Sequence, residues 1–241
     1  MEKLKNKLLN AFSPDAKNRI FPHLKLLELP LGEVIYEVSE KLNYVYFPID
    51  SIISFLYVME DGASAEISVI GNEGVVGVAV FMGGERTISR AIVQSAGVAY
   101  RLSASELRKE FNSQPDTRML LLRFTQSLIT QMAQTAVCNR HHNIDQQLCR
   151  WLLLSLDRLT DSNLAMTQEL IANMLGVRRE GVTEAAGKLQ KLGIINYKRG
   201  HIHVVDRPRL EEKSCECYQV VKTETDRLES YMRKRSIEKI A

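Results

Sequence analysis

Basic side chains outnumber acidic ones between residues 178 and 201, although the net charge of the whole chain is only +3. The six basic residues of this segment are Arg178, Arg179, Lys188, Lys191, Lys198 and Arg199, and the two acidic ones are Glu180 and Glu184. An arginine can donate two hydrogen bonds to guanine, a glutamate can accept one from cytosine, and lysines pair with phosphates. This mixture suits a surface that reads a nucleic acid, and the alternative is the solvated face of an ordinary helix.

The spacing of residues 167–192 predicts two short helices joined by a tight turn. Thr167 is a good N-cap, and the apolar face of the first helix consists of Leu170, Ile171, Met174 and Leu175. Gly176 stands where the chain must reverse, often with a positive φ that glycine accepts most easily. The buried face predicted for the second helix is Val182, Ala185, Leu189 and Leu192. Its opposite face presents Arg179, Glu180, Thr183 and Glu184.

A basic β-hairpin is predicted to follow, with Lys198 and Arg199 at its tip. His201 and His203 share one strand face and could bind a metal, but no third ligand is evident, so we interpret them as solvent-facing residues. Helix, glycine turn, helix and basic hairpin, in this order, predict a winged helix-turn-helix that binds double-stranded DNA. The predicted DNA contacts are Thr167, Gln168, Arg178, Arg179, Glu180, Thr183, Glu184, Lys188, Lys198 and Arg199.

The elements before this segment have a different character. Up to about residue 110, short β-branched and aromatic runs alternate with turn residues, which predicts a sandwich or small barrel. These runs are 34–36, 44–47, 51–58, 64–70, 88–94 and 98–102. The first dozen residues and Ala104 to Glu110 are predicted to be helices that flank the strands. In the last third, we predict a helix from Asn143 to Leu159 and a charged helix from about Arg207.

A long helix is predicted from Pro115 to about Val137. Its apolar stripe, at alternating spacings of four and three, is Leu121, Thr125, Leu128, Met132 and Thr135, with Phe124 and Ile129 alongside. Such a stripe can bury against its own domain or against the same helix of a second subunit. The spacing alone leaves both arrangements open.

At these residues the chain resembles the Crp/Fnr family of bacterial regulators. Ala172, Gly176 and Val182 match the spacing of the family's helix-turn-helix, and Arg179-Glu180 matches the pair that begins its recognition helix. The resemblance implies an α+β fold of four parts. These are a β-roll sensor domain at 1–114, a dimerisation helix and hinge at 115–142, a winged helix-turn-helix at 143–206 and a C-terminal helical extension at 207–241.

The resemblance also implies partners and a quaternary structure. It implies a homodimer that reads a near-palindromic site, with RNA polymerase as a further partner. The implied dimer interface is Leu121, Phe124, Thr125, Leu128, Met132 and Thr135. The family often has a basic residue where this chain has Glu184, and serine where it has Arg178, so the operator sequence does not carry over.

The segment 77–87 departs from the pattern of the family's cyclic-nucleotide-binding members. Gly77, Arg86 and Thr87 match it, but Val78 stands where those members have a glutamate that accepts hydrogen bonds from the ribose. A buried hydroxyl without a partner costs about 1–3 kcal/mol. The resemblance therefore implies an effector pocket at these four residues that does not take cyclic AMP, with Arg86 either the remnant of an anion site or only a surface charge. A conventional cyclic-nucleotide-activated regulator is the alternative.

Four cysteines remain to be explained: Cys138, Cys149, Cys215 and Cys217. The Cys215-x-Cys217 pair could bind a soft metal or respond to oxidants, but we interpret it as two reduced thiols in a packed segment. We therefore expect no metal and no cofactor. Since no cysteine precedes Cys138, the iron–sulfur chemistry of N-terminal cysteine clusters is excluded.

Other classes of protein are poorly supported by the sequence. It has no catalytic-triad, Walker or Rossmann fingerprint, so we expect no enzyme, and the regulatory subunit of an enzyme is a remote alternative. No apolar run approaches the roughly 18–20 residues of a membrane span, and the N-terminus lacks a signal peptide. We expect a cytoplasmic protein without a membrane partner.

Overall fold

The N-terminal part of the computed structural model is an antiparallel β-roll. The structure describes residues 5–84, 86–159 and 163–238. Two short helices, α1 (Lys7–Asn10) and α2 (Pro14–Ile20), precede the strands. The strands are β1 (Lys25–Leu29), β2 (Val34–Tyr36), β3 (Tyr44–Pro48), β4 (Ile52–Val58), β5 (Ser64–Ile70), β6 (Arg90–Ser95) and β7 (Gly97–Ser103). They form two sheets with the strand orders β1-β7-β3 and β2-β6-β4-β5, and helix α3 (Ala104–Ser113) follows.

The predicted strands are confirmed within about two residues at each end, a usual margin for such boundaries. Strand β1 was missed because its sequence, Lys-Leu-Leu-Glu-Leu, has no β-branched residue and buries only Leu29 fully. Strand β6 begins at Arg90 rather than at Ile88, whose side chain is exposed. Of the first dozen residues, predicted as one helix, α1 takes up only Lys7–Asn10 of the described part, and residues 1–4 lie outside it; α2 follows beyond the predicted range.

Helix α4 (Pro115–His141) lies along the β-roll and continues four residues beyond its predicted end. Its Phe124 ring packs on Gly74, where an added Cβ would lie 2.2 Å from the ring, so only glycine permits this contact. Its Gln131 bonds to the main chain of Val69 on the edge strand β5, accepting at 2.7 Å and donating at 3.2 Å. The side chain of Gln131 thus takes the place of a neighbouring strand at that position.

The burial of α4 corrects the predicted dimer interface. Five of the six proposed residues are buried within their own chain, and the sixth, Met132, is partly buried against the same core. The five buried residues are Leu121, Phe124, Thr125, Leu128 and Thr135. The predicted stripe is therefore the face that α4 turns towards its own domain. The large apolar residues exposed on its other side are Met119, Leu122, Ile129 and Val137.

The C-terminal domain is built around helix α5 (Ile144–Leu156), which is buried from Gln147 to its end. The next elements are β8 (Asn163–Ala165), α6 (Gln168–Leu175), α7 (Arg179–Lys191), β9 (Ile195–Lys198) and β10 (His201–Val204). The three strands form a sheet of order β8-β10-β9. The core of this domain continues into the β-roll through Ile52, Leu56 and Val69.

Two more helices, α8 (Arg207–Lys213) and α9 (Glu216–Glu238), complete the chain. Helix α9 runs antiparallel to α4, since Cys217 at its beginning lies beside His142 and Arg235 near its end pairs with Asp116. Its Leu228 and Met232 join the core of the β-roll. Within the described ranges, no helix combines the length and the apolar character needed to cross a membrane.

The two domains meet through buried polar contacts. Arg158, just after α5, pairs with Glu73 of the β-roll at 2.8 Å, and both side chains are over 90% buried. Nearby, the Ser54 hydroxyl lies 2.6 Å from a carboxyl oxygen of Glu66 and 2.7 Å from the amide oxygen of Gln94. The Gln94 amide then donates to Ser155 of α5 at 2.9 Å. This series of hydrogen bonds, from Glu66 to Ser155, thus connects the β-roll to α5.

The hydrogen bonds around Glu66 favour its neutral, protonated form. The Ser54 hydroxyl has one hydrogen and two acceptors beside it, so a proton on Glu66 completes the hydrogen bonding. Burial raises the pKa of Glu66 to about 7, although the hydrogen bond from Ser54 opposes the shift. Because the folded pKa lies above the ordinary value of 4.5, the folded state binds this proton more tightly than the unfolded state does.

Stability is therefore expected to fall as the pH rises from about 4.5 to about 7. We predict that Glu66→Gln, which stays neutral, removes this part of the decline. At pH 8 the variant should be more stable than the wild type, relative to pH 5, by on the order of 3 kcal/mol. Urea unfolding at both pH values measures the difference. Glu28→Gln, at an exposed position of β1, is the control. An equal loss of unfolding free energy between pH 5 and pH 8 in Glu66→Gln and in the wild type would contradict the prediction.

Candidate nucleic-acid interface

Helices α6 and α7 form the predicted helix-turn-helix. The Thr167 hydroxyl caps α6 by accepting a hydrogen bond from the Leu170 amide at 3.2 Å. Gly176 ends the helix with φ +66°, and the Val177 amide then donates to the Ala172 carbonyl. This left-handed residue reverses the chain, so that α7 begins at Arg179.

The inner face of α7 is buried against α5. The buried residues are Val182, Ala185, Ala186 and Leu189. Gly181 lies so close to Ile144 that an added Cβ would be 2.7 Å from its Cδ1. The expectation that Leu192 shares this buried face is wrong, because α7 ends at Lys191 and Leu192 is 44% exposed. Ile194, after the turn at Gly193, is buried instead.

The outer face of α7 is open to solvent. The exposed residues at its start are Arg178, Arg179, Glu180, Thr183 and Glu184. The Arg179 guanidinium lies 3.9 Å from the Glu169 carboxylate, an ion pair at the outer limit of contact between two side chains that are each more than 60% exposed. The Thr183 hydroxyl contacts half-buried Gln168 at 2.7 Å, so α6 and α7 contribute to one continuous polar surface.

Lys188 differs from the other predicted contacts. Its ammonium pairs with Glu184 at 3.0 Å and with Asp145 at 3.1 Å. The hydrogen bond to Glu184, and to a lesser extent that to Asp145, raises the pKa of Lys188, so the ammonium stays charged. A phosphate would have to compete with two carboxylates for this side chain. The sequence did not reveal Asp145 as a partner, because it lies 43 residues away on α5.

The predicted wing is the β9–β10 hairpin. Its two-residue turn consists of Arg199 and Gly200, with φ +51° and +79°, as in the tight turns that suit antiparallel strands. Lys198 and Arg199 are exposed at its tip. The Tyr197 amide donates to the Gln190 side chain at 3.0 Å, which attaches the wing to α7.

Two features of the wing sheet had less signal in the sequence. Strand β8 was missed because its three residues, Asn-Leu-Ala, include no β-branched or aromatic side chain. His201 and His203 are both exposed, as we interpreted them, and the His203 ring contacts the Asn163 side chain at 2.9 Å.

The β4–β5 hairpin of the β-roll touches the helix-turn-helix at its turn. A Cβ added to Gly176 would lie 3.1 Å from the Cβ of Ala65. The Ser64 hydroxyl donates to the Asn173 carbonyl at 3.4 Å. Sequence patterns contained no sign of this contact, which joins segments more than 100 residues apart.

The four predicted effector-pocket residues, Gly77, Val78, Arg86 and Thr87, all line one cavity of about 530 Å³. Gly77 has φ +106° and begins a single 3-10 turn. Val78 contributes an apolar surface, whereas the Thr87 hydroxyl donates to the Ser89 carbonyl at 2.9 Å. Arg86 is exposed and donates to the Ser39 carbonyl at 2.6 Å.

The remaining walls of this cavity come from the β-roll and from α4. The side chains contributed by the β-roll are mainly apolar and include Tyr36, Leu42, Phe55, Tyr57, Ile67, Met82 and Ile88. Those contributed by α4 are Leu128, Met132, Thr135, Ala136 and Asn139. Among the described lining residues, Arg86 is the one charged side chain. The predicted dimer residues Leu128, Met132 and Thr135 therefore belong to the walls of this cavity.

Comparison with known families assigns a domain type to each half of the chain. Residues 26–114 match the model of the cyclic nucleotide-binding domain, and residues 146–213 match that of the Crp-like helix-turn-helix domain. Together the two matches cover more than half of the chain, and α9 lies beyond them. No curated protein matches the sequence.

Solved structures share the fold over about four-fifths of this chain. FixK2 from Bradyrhizobium japonicum gives a TM-score of 0.67 at 19% identity, covering 80% of this chain and 98% of that one. A protein assigned to the Crp/Fnr family of transcriptional regulators, from Eubacterium rectale, gives 0.67 at 16% identity, covering 85% and 96%. A CRP-family transcriptional regulator from Thermus thermophilus gives 0.66 at 15% identity, covering 78% and 96%. At these identities the likeness is one of fold.

Proposed function

Because the chain belongs to the Crp/Fnr family of transcriptional regulators, we propose that it acts as a homodimer on a near-palindromic site in double-stranded DNA. The observation that carries the proposal is the two-sided character of α7, with a buried apolar back and an exposed Arg-Glu front. Two such helices would enter successive major grooves about 34 Å apart. RNA polymerase is the further partner that the family implies.

The exposed side chains divide by the groups they would contact. Arg179 and Glu180, in the first turn of α7, suit base edges, because arginine pairs with guanine and glutamate accepts from cytosine. Arg178, Lys198 and Arg199 suit the phosphates on either side. Lys188 would reach a phosphate only after leaving Glu184 and Asp145.

We predict that Arg179→Ala loses about 1–3 kcal/mol of discrimination at one base pair in each half-site. Selection from a random DNA pool, followed by affinity measurements on single-base variants of the selected site, tests this. Arg227→Ala, which removes an equally exposed arginine from α9, is the control and should leave the affinity unchanged. Uniform weakening on every sequence would assign Arg179 to phosphates instead. A pool without any enriched motif would contradict the proposal as a whole.

The dimer interface that we now propose is the exposed face of α4. Met119, Leu122, Ile129 and Val137 are each more than 40% exposed. The first three, with Gln126 and Ala133 between and after them, follow the three-four spacing of a two-stranded coiled coil. Pairing α4 with its copy would bury these side chains and leave the opposite, internal face of the helix unchanged.

We predict that Ile129→Glu converts the dimer to a monomer, since it would place a carboxylate in the apolar interface. Sedimentation velocity measures the mass, and circular dichroism establishes that the variant is folded. Val220→Glu, a change of the same kind at a 41% exposed position of α9, should remain dimeric. A dimeric Ile129→Glu protein would exclude this face.

For the cavity we propose an effector that is mainly apolar and carries one anionic group. Apolar walls and Arg86, the single charged residue of the described lining, support this class of ligand. The free ribose hydroxyl of cyclic AMP needs an acceptor, and Val78 supplies none. Because α4 contributes Met132 and Asn139 to the cavity and ends at the hinge of His142 and Asn143, a ligand could shift the population of domain orientations.

We predict that cyclic AMP and cyclic GMP give no saturable heat in a calorimetric titration of the full chain. The apolar anion 1-anilinonaphthalene-8-sulfonate should bind with a saturable increase in fluorescence, which Arg86→Ala weakens by about tenfold. Arg90→Ala, which removes a neighbouring arginine outside the cavity, is the control. Micromolar binding of cyclic AMP would favour the conventional cyclic-nucleotide-activated regulator.

A further inference from the structure

Four side chains with metal-binding atoms converge where α4 ends and α9 begins. They are Cys138 in the last turn of α4, His142 at its C-cap, Cys215 just before α9 and Cys217 in the first turn of α9. One sulfur or nitrogen atom from each lies within 4.8 Å of the corresponding atoms of the other three. Since Cys138 and Cys215 are 77 residues apart, only the antiparallel packing of α4 and α9 brings the four together.

Two of the separations match those of a tetrahedral metal site, and all four ligand atoms lie within 4.8 Å of one another. Zinc lies about 2.3 Å from thiolate sulfur and about 2.0 Å from imidazole nitrogen, so its ligands are about 3.6–3.8 Å apart. Here the sulfurs of Cys138 and Cys215 are 3.5 Å apart, and the Cys217 sulfur is 3.6 Å from Nδ1 of His142. We propose that these four side chains bind one metal ion of the zinc class through three sulfurs and Nδ1.

The second ring nitrogen of His142 supports this assignment. Its Nε2 lies 3.3 Å from a carboxylate oxygen of Glu216, the residue between the two C-terminal cysteines. A histidine that ligates a metal commonly donates its other N–H to a carboxylate, which fixes the tautomer and the orientation of the ring. With Nε2 turned towards Glu216, Nδ1 is left to face the three sulfurs.

Burial and charge also favour an ion over three free thiols. The three cysteines are at most 4% exposed, and the His142 side chain is 13% exposed. Three thiolates around a divalent cation leave a net charge of −1, and the positive charge of buried Arg150 acts on Cys138 and Cys217. A disulfide between Cys138 and Cys215 would use only two of the four groups and give no role to Cys217 or His142.

The sequence pattern contained half of this site. The Cys215-x-Cys217 pair was visible, but we interpreted it as two reduced thiols in a packed segment. The other half is Cys138-x-x-x-His142, whose four-residue spacing places both side chains on one face at the end of α4. The ion would tie the beginning of α9 to the hinge between α4 and α5. Any effect of this tie on domain movement rests on the proposed function, whereas the site itself does not.

The test measures the metal content of the full chain purified under reducing conditions. We expect about one zinc ion per chain by inductively coupled plasma mass spectrometry. Cys138→Ser and Cys217→Ser should each lower the content by about tenfold or more. Cys149→Ser is the matched control, because this fourth cysteine is equally buried on α5 but lies outside the cluster, and it should keep its metal.

A second measurement covers variants that fail to fold. The wild-type chain is treated with a chelator and titrated with Co²⁺, which should bind at one equivalent with the intense thiolate-to-cobalt absorption of a tetrahedral site. A chain that binds neither zinc nor Co²⁺, or whose peptide map shows a Cys138–Cys215 disulfide, would overturn the proposal. Several iron atoms per chain would do so too. None of these readouts depends on DNA, so this site and the regulator function can fail separately.

Discussion

Helix α4 has three faces, one against the β-roll, one against α9 and one in solvent. The packing of these faces sets the position of nearly everything else. One face packs on the β-roll through residues such as Leu121 and Phe124, and α9 lies along another. A third face is open to solvent and includes Met119 and Ile129. Because α5 starts only two residues after α4 ends, the packing of α4 also fixes where the helix-turn-helix begins.

The cavity and the DNA-binding surface are connected by two routes through this framework. The first is α4 itself, which lines the cavity and ends at the hinge. The second is the β4–β5 hairpin, which contributes Phe55 and Ile67 to the cavity and contacts Gly176 at the turn of the helix-turn-helix. A ligand that alters either contact would bind different orientations of the two domains with different free energies. Such a difference is required for any population shift.

Patterns of neighbouring residues predicted what depends on neighbouring residues. The strands, the glycine turn at Gly176, the exposed Arg179 and the two-residue hairpin all followed from local spacing. The partner of an apolar stripe does not follow from spacing. The family resemblance assigned the α4 face containing Leu128 to a second subunit, whereas it packs on its own core. The cluster around Cys138 joins distant segments, so it emerged only with the packing of α9 on α4.

The contact between Gln131 and Val69 has a consequence for the fate of the protein at high concentration. Strand β5 is the outer strand of its sheet, and the outward amides and carbonyls of such a strand can pair with a strand from another molecule. Gln131 occupies both groups of Val69 with its own amide. Helix α4 therefore blocks the addition of a strand from another molecule at Val69. Any motion that lifts α4 from β5 exposes these main-chain groups for self-association.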